Sequence, residues 1–274
     1  MVAKRLGFSS VLLTFNPHPR NVLFPQGQDL KLLNTIDEKV LELQNIGIDH
    51  LIIHEFTKDF SRISPVNFIR DILVSKLNMQ HMIVGYDHHF GRNREGSFEH
   101  LMKYGPLYGF EVEEIPAQEV NEVNVSSTKI RKAIQEGQVC KAAQFMGHPY
   151  SIIGSVVKGE QIGRSIGFPT ANIKVEDAHK LIPKEGVYAV QVTYCNKIYP
   201  GMLNIGYRPT VGLDNQLSIE VNIFDFQKNI YGEEIKLEII QRVRNEIQFT
   251  NVNDLSVQLE QDLLHCNRMD LFHQ

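Results

Sequence analysis

Apolar residues follow two different rhythms along this chain, and the change falls near residue 148. In the first half, segments 9–15, 49–53, 80–84 and 109–115 read as strands, the first three as near-continuous apolar runs suited to burial on both faces. Between them the spacing turns helical. Ile36, Val40, Leu43 and Ile46 make one stripe over residues 35–46, which stops at Gly47. Residues 65–77 open on Ser64 as an N-cap with Pro65 at the first helical position, and Phe68, Ile69, Ile72 and Leu73 supply the apolar face. Strands alternating with helices predict a parallel α/β sheet with right-handed crossovers. A further helix runs from Ser126 to Gly137, and a short one spans 138–146, closed by Gly147. His148-Pro149 then forms a hinge, because the residue before proline is pushed out of the helical region.

Beyond Tyr150 the runs shorten. Segments 151–158, 170–174, 187–195, 197–204, 217–226 and 234–243 read as strands between Gly, Pro and Asn punctuation, which predicts a closed antiparallel barrel. Residues 254–272 read as an amphipathic helix with Leu255, Leu259, Leu263, Cys266 and Met269 on one side, packed on that barrel. Two domains follow, 1–147 and 148–274, and 274 residues suffice for two cores.

Composition mainly excludes. Hydrophobic content of 42% and charged content of 22% are those of an ordinary globular protein, and a net charge of −4 argues against a general nucleic-acid binder. No run of 18 apolar residues offers a membrane span, and the first residues lack the pattern of a signal peptide. Three scattered cysteines (Cys140, Cys195, Cys266) fit neither a disulfide framework nor a zinc spacing. The expectation is a cytoplasmic protein with reduced thiols that binds neither nucleic acid nor membrane, its oligomeric state undetermined.

Candidate chemistry concentrates in Ser155–Asn172. Gly159, Gly163 and Gly167 recur every four residues with Lys158 and Arg164 among them, and the run ends in Phe168-Pro169-Thr170-Ala171-Asn172. Glycines let an anion approach main-chain N–H groups, and cations strengthen that attraction. On an extended chain Thr170 and Asn172 share a face, placing a hydroxyl beside an amide oxygen, both hard donors of the kind Mg²⁺ accepts next to phosphate. The spacing matches neither a P-loop nor a dinucleotide fingerprint, so a surface loop between strands stays open as the plainer reading.

Three further segments punctuate the first half. Asn16-Pro-His-Pro-Arg20 follows the first strand and Gly85-Tyr-Asp-His-His-Phe-Gly91 the third, both where open α/β sheets bind ligands, although each also reads as a plain turn. His88 and His89 point apart on an extended chain and lack an evident third ligand, which disfavours zinc. Ser126-Ser-Thr-Lys-Ile-Arg131 opens a helix whose free N–H groups and arginine suit an anion, or an ordinary cap.

The order of these motifs carries a resemblance. Gly-x-x-x-Gly-Arg-x-x-Gly-Phe-Pro-Thr-Ala-Asn-Ile, then Gly186-Val-Tyr-Ala189, Gly201 to Val211 and Glu220-Val-Asn-Ile-Phe-Asp-Phe226, resembles the riboflavin kinase domain from about Tyr150 onward. Thr-Phe-x-Pro-His-Pro-Arg, Val-Gly-x-Asp-x-x-Phe-Gly and Ser-Ser-Thr-x-Ile-Arg are similar to the FMN adenylyltransferase domain fused to it in bacterial FAD synthetases. The resemblance implies a Rossmann-like nucleotidyltransferase sheet lacking its first strand, followed by a six-stranded kinase barrel. It implies Mg²⁺, ATP as co-substrate, and riboflavin, FMN and FAD as substrates and products. Glu220 becomes the general base. Gly159, Gly163, Arg164, Gly167, Phe168, Pro169, Thr170 and Asn172 become the ATP loop, with Thr170 and Asn172 on the metal. Arg244 lies in the segment that closes over the flavin, its plainer reading being an ion pair with Glu246. Pro17, His18, Asp87, Ser127, Thr128 and Arg131 would meet ATP and flavin in the adenylyltransferase half.

The resemblance has departures. The family's Gly-x-Phe-Asp-Gly-x-His-x-Gly-His segment is not in this sequence, and Met1–Gly7 reads as the tail of the helix that follows it. Each oxyanion-type donor lost costs about 2.7–4 kcal/mol of transition-state stabilisation. The expectation is therefore an active kinase with an impaired adenylyltransferase. His88 stands where the family carries an aromatic residue, and His148 where it carries arginine. A non-catalytic flavin- or nucleotide-binding regulator is the alternative reading.

Overall fold

The computed structural model describes all residues except 1, 25–29, 117–118, 121–122, 160–162, 164–166, 209–215, 250 and 268–274. The chain forms two compact units: Met1–Leu30 with Val40–Val125, and Lys31–Lys39 with Ser126–Gln274.

In the first unit, helix α1 (Val2–Leu6) precedes strand β1 (Val11–Asn16), and α2 (Pro19–Leu23) follows it. Helix α3 (Ile36–Ile46) begins in the stretch assigned to the second unit and continues in the first. Strand β2 (His50–Glu55) runs parallel to β1, from Val11 opposite His50 to Asn16 opposite Glu55. Helix α4 (Pro65–Asn67) starts under a cap in which the Ser64 side chain accepts from the Asn67 N–H. It then widens into a π-helix over Phe68–Val74. The sequence predicts an ordinary α-helix here. The winding is looser, but the predicted face holds: Phe68, Ile69 and Leu73 are buried in the core and Ile72 packs against it.

Strands β3 (His81–Gly85) and β4 (Glu111–Ile115) are joined through α5 (Phe98–Tyr108) and pair in parallel. Among the described residues the four parallel strands form two separate pairs. Phe68, Ile69, Leu73, Val84, Phe90, Leu101 and Phe110 make the core, and Leu13 of β1 packs against it. Two short strands, β5 (Glu119–Val120) and β6 (Val123–Asn124), pair antiparallel at the end of this unit.

Helix α6 (Ser127–Gln135) is capped by Ser126, whose side chain accepts from the Lys129 N–H, and it buries Ile130, Ala133 and Ile134. Helix α7 (Val139–Met146) buries Val139 and Ala142 and ends at Gly147.

Six antiparallel strands follow: β7 (Tyr150–Val157), β8 (Ala171–Lys174), β9 (Gly186–Tyr194), β10 (Lys197–Arg208), β11 (Gln216–Ile223) and β12 (Glu234–Arg244). They close into a barrel in the order β10-β11-β8-β7-β12-β9. Alternation puts Ile152, Tyr188, Val190, Leu203, Ile205, Val221, Leu237 and Ile239 inside, where each is fully buried. On the outer face Val187, Ala189, Met202 and Phe224 pack with Cys266, Leu259 and Leu263 of helix α8 (Val252–Asn267). That is the face predicted for the helix, except that Met269 lies outside the described residues.

One predicted stripe fails. In α3, Ile46 is 58% exposed while Glu38 is 1% exposed. The helix is drawn in by an ion pair, not by its aliphatic residues: Lys180, itself buried, donates to Glu38 at 2.5 Å.

Candidate functional site

The barrel's register assembles the kinase candidates. Asn172 on β8 lies directly opposite Glu220 on β11, and Glu220 lies opposite Asn204 on β10. Residues opposed in a ladder project to the same face, so carboxylate and carboxamides stand side by side on the outside of the barrel. Thr170 donates its Oγ1 hydrogen to Glu220 Oε2 at 3.2 Å, and Ser218 donates to Oε1 at 3.0 Å. The carboxylate thus has polar neighbours, while Phe224, just past the end of β11, packs with α8.

The phosphate-loop residues that are described stand next to this row. Gly159 lies so near Asn172 that a Cβ built on it would be 2.1 Å from Asn172 Nδ2, so only glycine leaves room for that carboxamide. A Cβ on Gly163 would be 2.2 Å from the Phe168 carbonyl, and the Phe168 N–H donates to the Gly163 carbonyl at 2.9 Å. Asn222 Nδ2 donates to the Pro169 carbonyl at 2.7 Å, fixing the approach to Thr170. Gly167 is exposed, and Arg164 lies outside the described residues. The donor set of hydroxyl, amide oxygen and carboxylate at Thr170, Asn172 and Glu220 is of the kind that fits Mg²⁺. Among the described residues no group of three His, Cys, Asp or Glu could hold a metal.

Arg244 ends β12. Its Nε donates to both oxygens of Asp262 at 3.0 and 2.9 Å, its second amino group lies 2.7 Å from Oδ2, and Asp262 is 2% exposed. The guanidinium therefore ties α8 to the barrel and lies over Phe249 with 6.0 Å to the ring centroid. Glu246, the partner considered from sequence, hydrogen-bonds the Asn204 side chain instead, and partial burial raises its pKa above the usual carboxylate value. A Cβ on Gly206 would be 2.9 Å from Glu246 Oε1. Asn204 and Ser218 were not singled out from sequence, and Glu246 only as a partner for Arg244. A strand register drawn from the alternating pattern would have found the first two, because Asn204 opposes Glu220 and Ser218 precedes it on the same face.

The adenylyltransferase candidates fall in both units. In the first, Pro17 and His18 follow the carboxyl end of β1, where His18 Nδ1 accepts from the Arg20 N–H at 3.2 Å and starts α2. Asp87 is exposed just past β3. Both positions lie beyond strand carboxyl ends, where such sheets take ligands. A file of rings unnoticed in the sequence runs nearby: Phe15 to Phe60 (5.3 Å), Phe60 to Phe68 (6.2 Å), Phe68 to Phe90 (5.7 Å) and Phe90 to His88 (6.0 Å, stacked). His88, desolvated against Phe90, has its pKa lowered by burial. In the second unit Ser127 and Thr128 are exposed in the first turn of α6, while Arg131 Nε donates to the Lys31 carbonyl at 2.9 Å.

Comparison with known proteins joins these observations. The riboflavin kinase family model matches residues 146–269, and the FAD synthetase model matches residues 1–129. A bifunctional riboflavin kinase/FMN adenylyltransferase of Listeria monocytogenes is 40% identical over 261 residues, covering 95% of this chain and 82% of that protein. The Bacillus subtilis enzyme of the same description is 35% identical over 95% and 82%, and the Escherichia coli K12 one 36% identical over 93% and 80%. A crystal structure from Streptococcus pneumoniae, described as a macrolide-efflux protein, is 31% identical with a TM-score of 0.87, over 97% of this chain and 86% of that one. Among the described residues no helix is long and apolar enough to cross a membrane. Barrel and parallel strands are together those of a flavin-cofactor biosynthetic enzyme. The chain belongs to the bifunctional riboflavin kinase/FMN adenylyltransferase family.

Proposed function

We propose that the row Asn172, Glu220 and Asn204, with Thr170 beside it, is where the kinase half transfers the γ-phosphoryl group of ATP to the 5′-hydroxyl of riboflavin. In this reading Glu220 takes the hydroxyl proton as the ribityl oxygen attacks phosphorus. The oxygen–phosphorus bond forms while the bond from the γ-phosphorus to the bridging oxygen breaks, and ADP leaves with those electrons. Phosphoryl transfer demands positioning and charge neutralisation more than covalent help, so a carboxylate at the nucleophile and hard oxygens at the phosphates suffice. Thr170 and Asn172 would hold Mg²⁺, which supplies neutralisation of phosphate charge. The glycine loop Gly159 to Pro169, with Gly163, Arg164, Gly167 and Phe168, covers the triphosphate.

The observation that carries this reading is the register: Asn172 opposes Glu220, whose carboxylate accepts from Thr170 at 3.2 Å. Arg244 supports the segment over the flavin through Asp262. In the adenylyltransferase half, Pro17, His18, Asp87, Ser127, Thr128 and Arg131 meet ATP and flavin. The kinase domain spans 148–274 and the adenylyltransferase domain 1–147, and the protein works in the cytoplasm, where ATP is abundant. Incubation with riboflavin, ATP and Mg²⁺, with the flavins separated by chromatography, yields FMN from the unaltered protein and almost none from E220Q. Tight riboflavin binding without turnover would replace this reading with a regulatory binder. Adding FMN and ATP measures adenylyl transfer, which is expected to yield little FAD; efficient FAD formation would overturn the expected impairment.

A further inference from the structure

Strand β7 is longer than its partner. The ladder with β8 covers only Ser155 to Val157, so the main-chain groups of Ser151 and Ile153 that face the same edge have no strand to meet. Two charged side chains take them. Lys180 Nζ donates to the Ser151 carbonyl at 2.7 Å, and the Ile153 N–H donates to Glu38 Oε1 at 3.1 Å. Lys180 also donates to Glu38 Oε2 and, at 2.8 Å, to the Leu33 carbonyl. The three ammonium donors thus have three acceptors, and the Tyr150 ring lies 4.4 Å from Nζ. Both side chains are sealed, at 0% and 1% exposure. No open valence remains for a ligand, so the pair is a fastening.

What it fastens is the stretch Lys31–Lys39, which packs with the barrel although it lies within the residues matched by the FAD synthetase model. The Leu32 N–H donates to the His179 carbonyl at 2.7 Å, and the Leu181 N–H donates back to Leu32 at 2.9 Å, a parallel bridge. Lys31 Nζ donates to the Ala178 carbonyl at 2.8 Å. Glu38 has a second task in this stretch. Its Oε2 accepts from the Thr35 N–H at 2.9 Å while Thr35 Oγ1 accepts from the Glu38 N–H at 3.3 Å, a capping box that starts α3.

We propose that Lys31–Lys39 is a strap that completes the kinase barrel along β7, and that Glu38, shared between the β7 edge and the start of α3, makes the two open together. A single carboxylate joins Ile153 and Lys180 to the capping box at Thr35, so lifting the strap takes it from the buried Lys180 ammonium and the Ile153 N–H at once. The barrel consequently depends on a segment that precedes it by more than a hundred residues in the chain.

Hydrogen exchange on the full chain tests this without any substitution. The amides of Leu32, Thr35, Ile153 and Leu181 are expected to share one protection factor, on the order of 1,000 or more. In K180M all four should exchange about 100-fold faster, with Val190 and Leu203 across the barrel changing far less. E38Q/K180M, which leaves no buried charge, should recover part of that loss and gives the same comparison if K180M alone fails to fold. Near-random exchange at Leu32 and Thr35 beside a slow Ile153 in the unaltered protein would overturn the proposal. So would faster exchange at Ile153 alone in either variant.

Discussion

The barrel and the parallel strands solve the same problem of edge and core differently. Six strands close on themselves around side chains such as Leu203, Ile205, Val221 and Leu237, all at 0% exposure. The parallel strands pair two by two, and Ile53 and Ile83 at their centres are each 43% exposed. The difference decides how each half positions its chemistry. In the barrel the candidate groups sit on ladder rungs, so hydrogen-bond register sets their spacing. In the parallel unit they sit past strand ends, on His18 and Asp87, where the chain has already left the ladder.

The sharpest way to break this contrast is at Glu220. If the barrel's register performs the chemistry, E220Q should lower kcat for FMN formation about a thousandfold with the melting temperature unchanged, a loss in the range of general-base removal. A loss of folding instead would make Glu220 a structural strut. Next in size, Leu203→Ala should cost about 2–5 kcal/mol in denaturant unfolding, whereas Ile53→Ala should cost about 1 kcal/mol or less. Equal costs would mean that the two cores are alike after all. Gly159→Ala should displace the Asn172 carboxamide and cut kinase activity about 10–100-fold, with little change in stability.

A pH series sharpens the contrast more gently. Burial pushes the Lys180 ammonium from 10.5 down to about 8, opposed by the Glu38 carboxylate. Between those values the unfolded chain binds more protons than the folded one, so this group makes stability rise with pH from about 8 toward 10. The slope of unfolding free energy against pH in that window should be more positive for the unaltered protein than for K180M. The smallest effect concerns thiols. Cys140 and Cys195 are exposed while Cys266, on the face of α8 buried against the barrel, has its pKa pushed up to about 11. Mass spectrometry after brief alkylation should find the first two modified and Cys266 protected until the barrel unfolds.

Much of this architecture was legible in the residues. Every strand read from apolar runs exists within a few residues of its expected limits, and the Ser64 and Ser126 caps start the helices they predict. Periodicity failed where tertiary contacts overrode it. At Phe68–Val74 the spacing gave the right apolar face but not the π-helical winding that carries it. The α3 stripe yielded to Glu38, whose partner lies 142 residues away. Thr35-Ile-Asp-Glu38 did carry a local signal as a capping box, but not the second use of its carboxylate. Within the site, Thr170, Asn172 and Glu220 were visible as motif residues. Asn204 went unnoticed although the β10–β11 register puts it opposite Glu220, and Glu246 was read only as a partner for Arg244, not for Asn204.

The rung shared by Asn172, Glu220 and Asn204 also limits how such a gene can change. Side chains alternate with a period of two, so inserting one codon inside β8, β10 or β11 would turn that strand's contribution toward the interior and dismantle the proposed kinase row. Two codons would restore its facing but shift it a rung along. Length can therefore drift freely between these strands, while within them inheritance must conserve parity as strictly as identity.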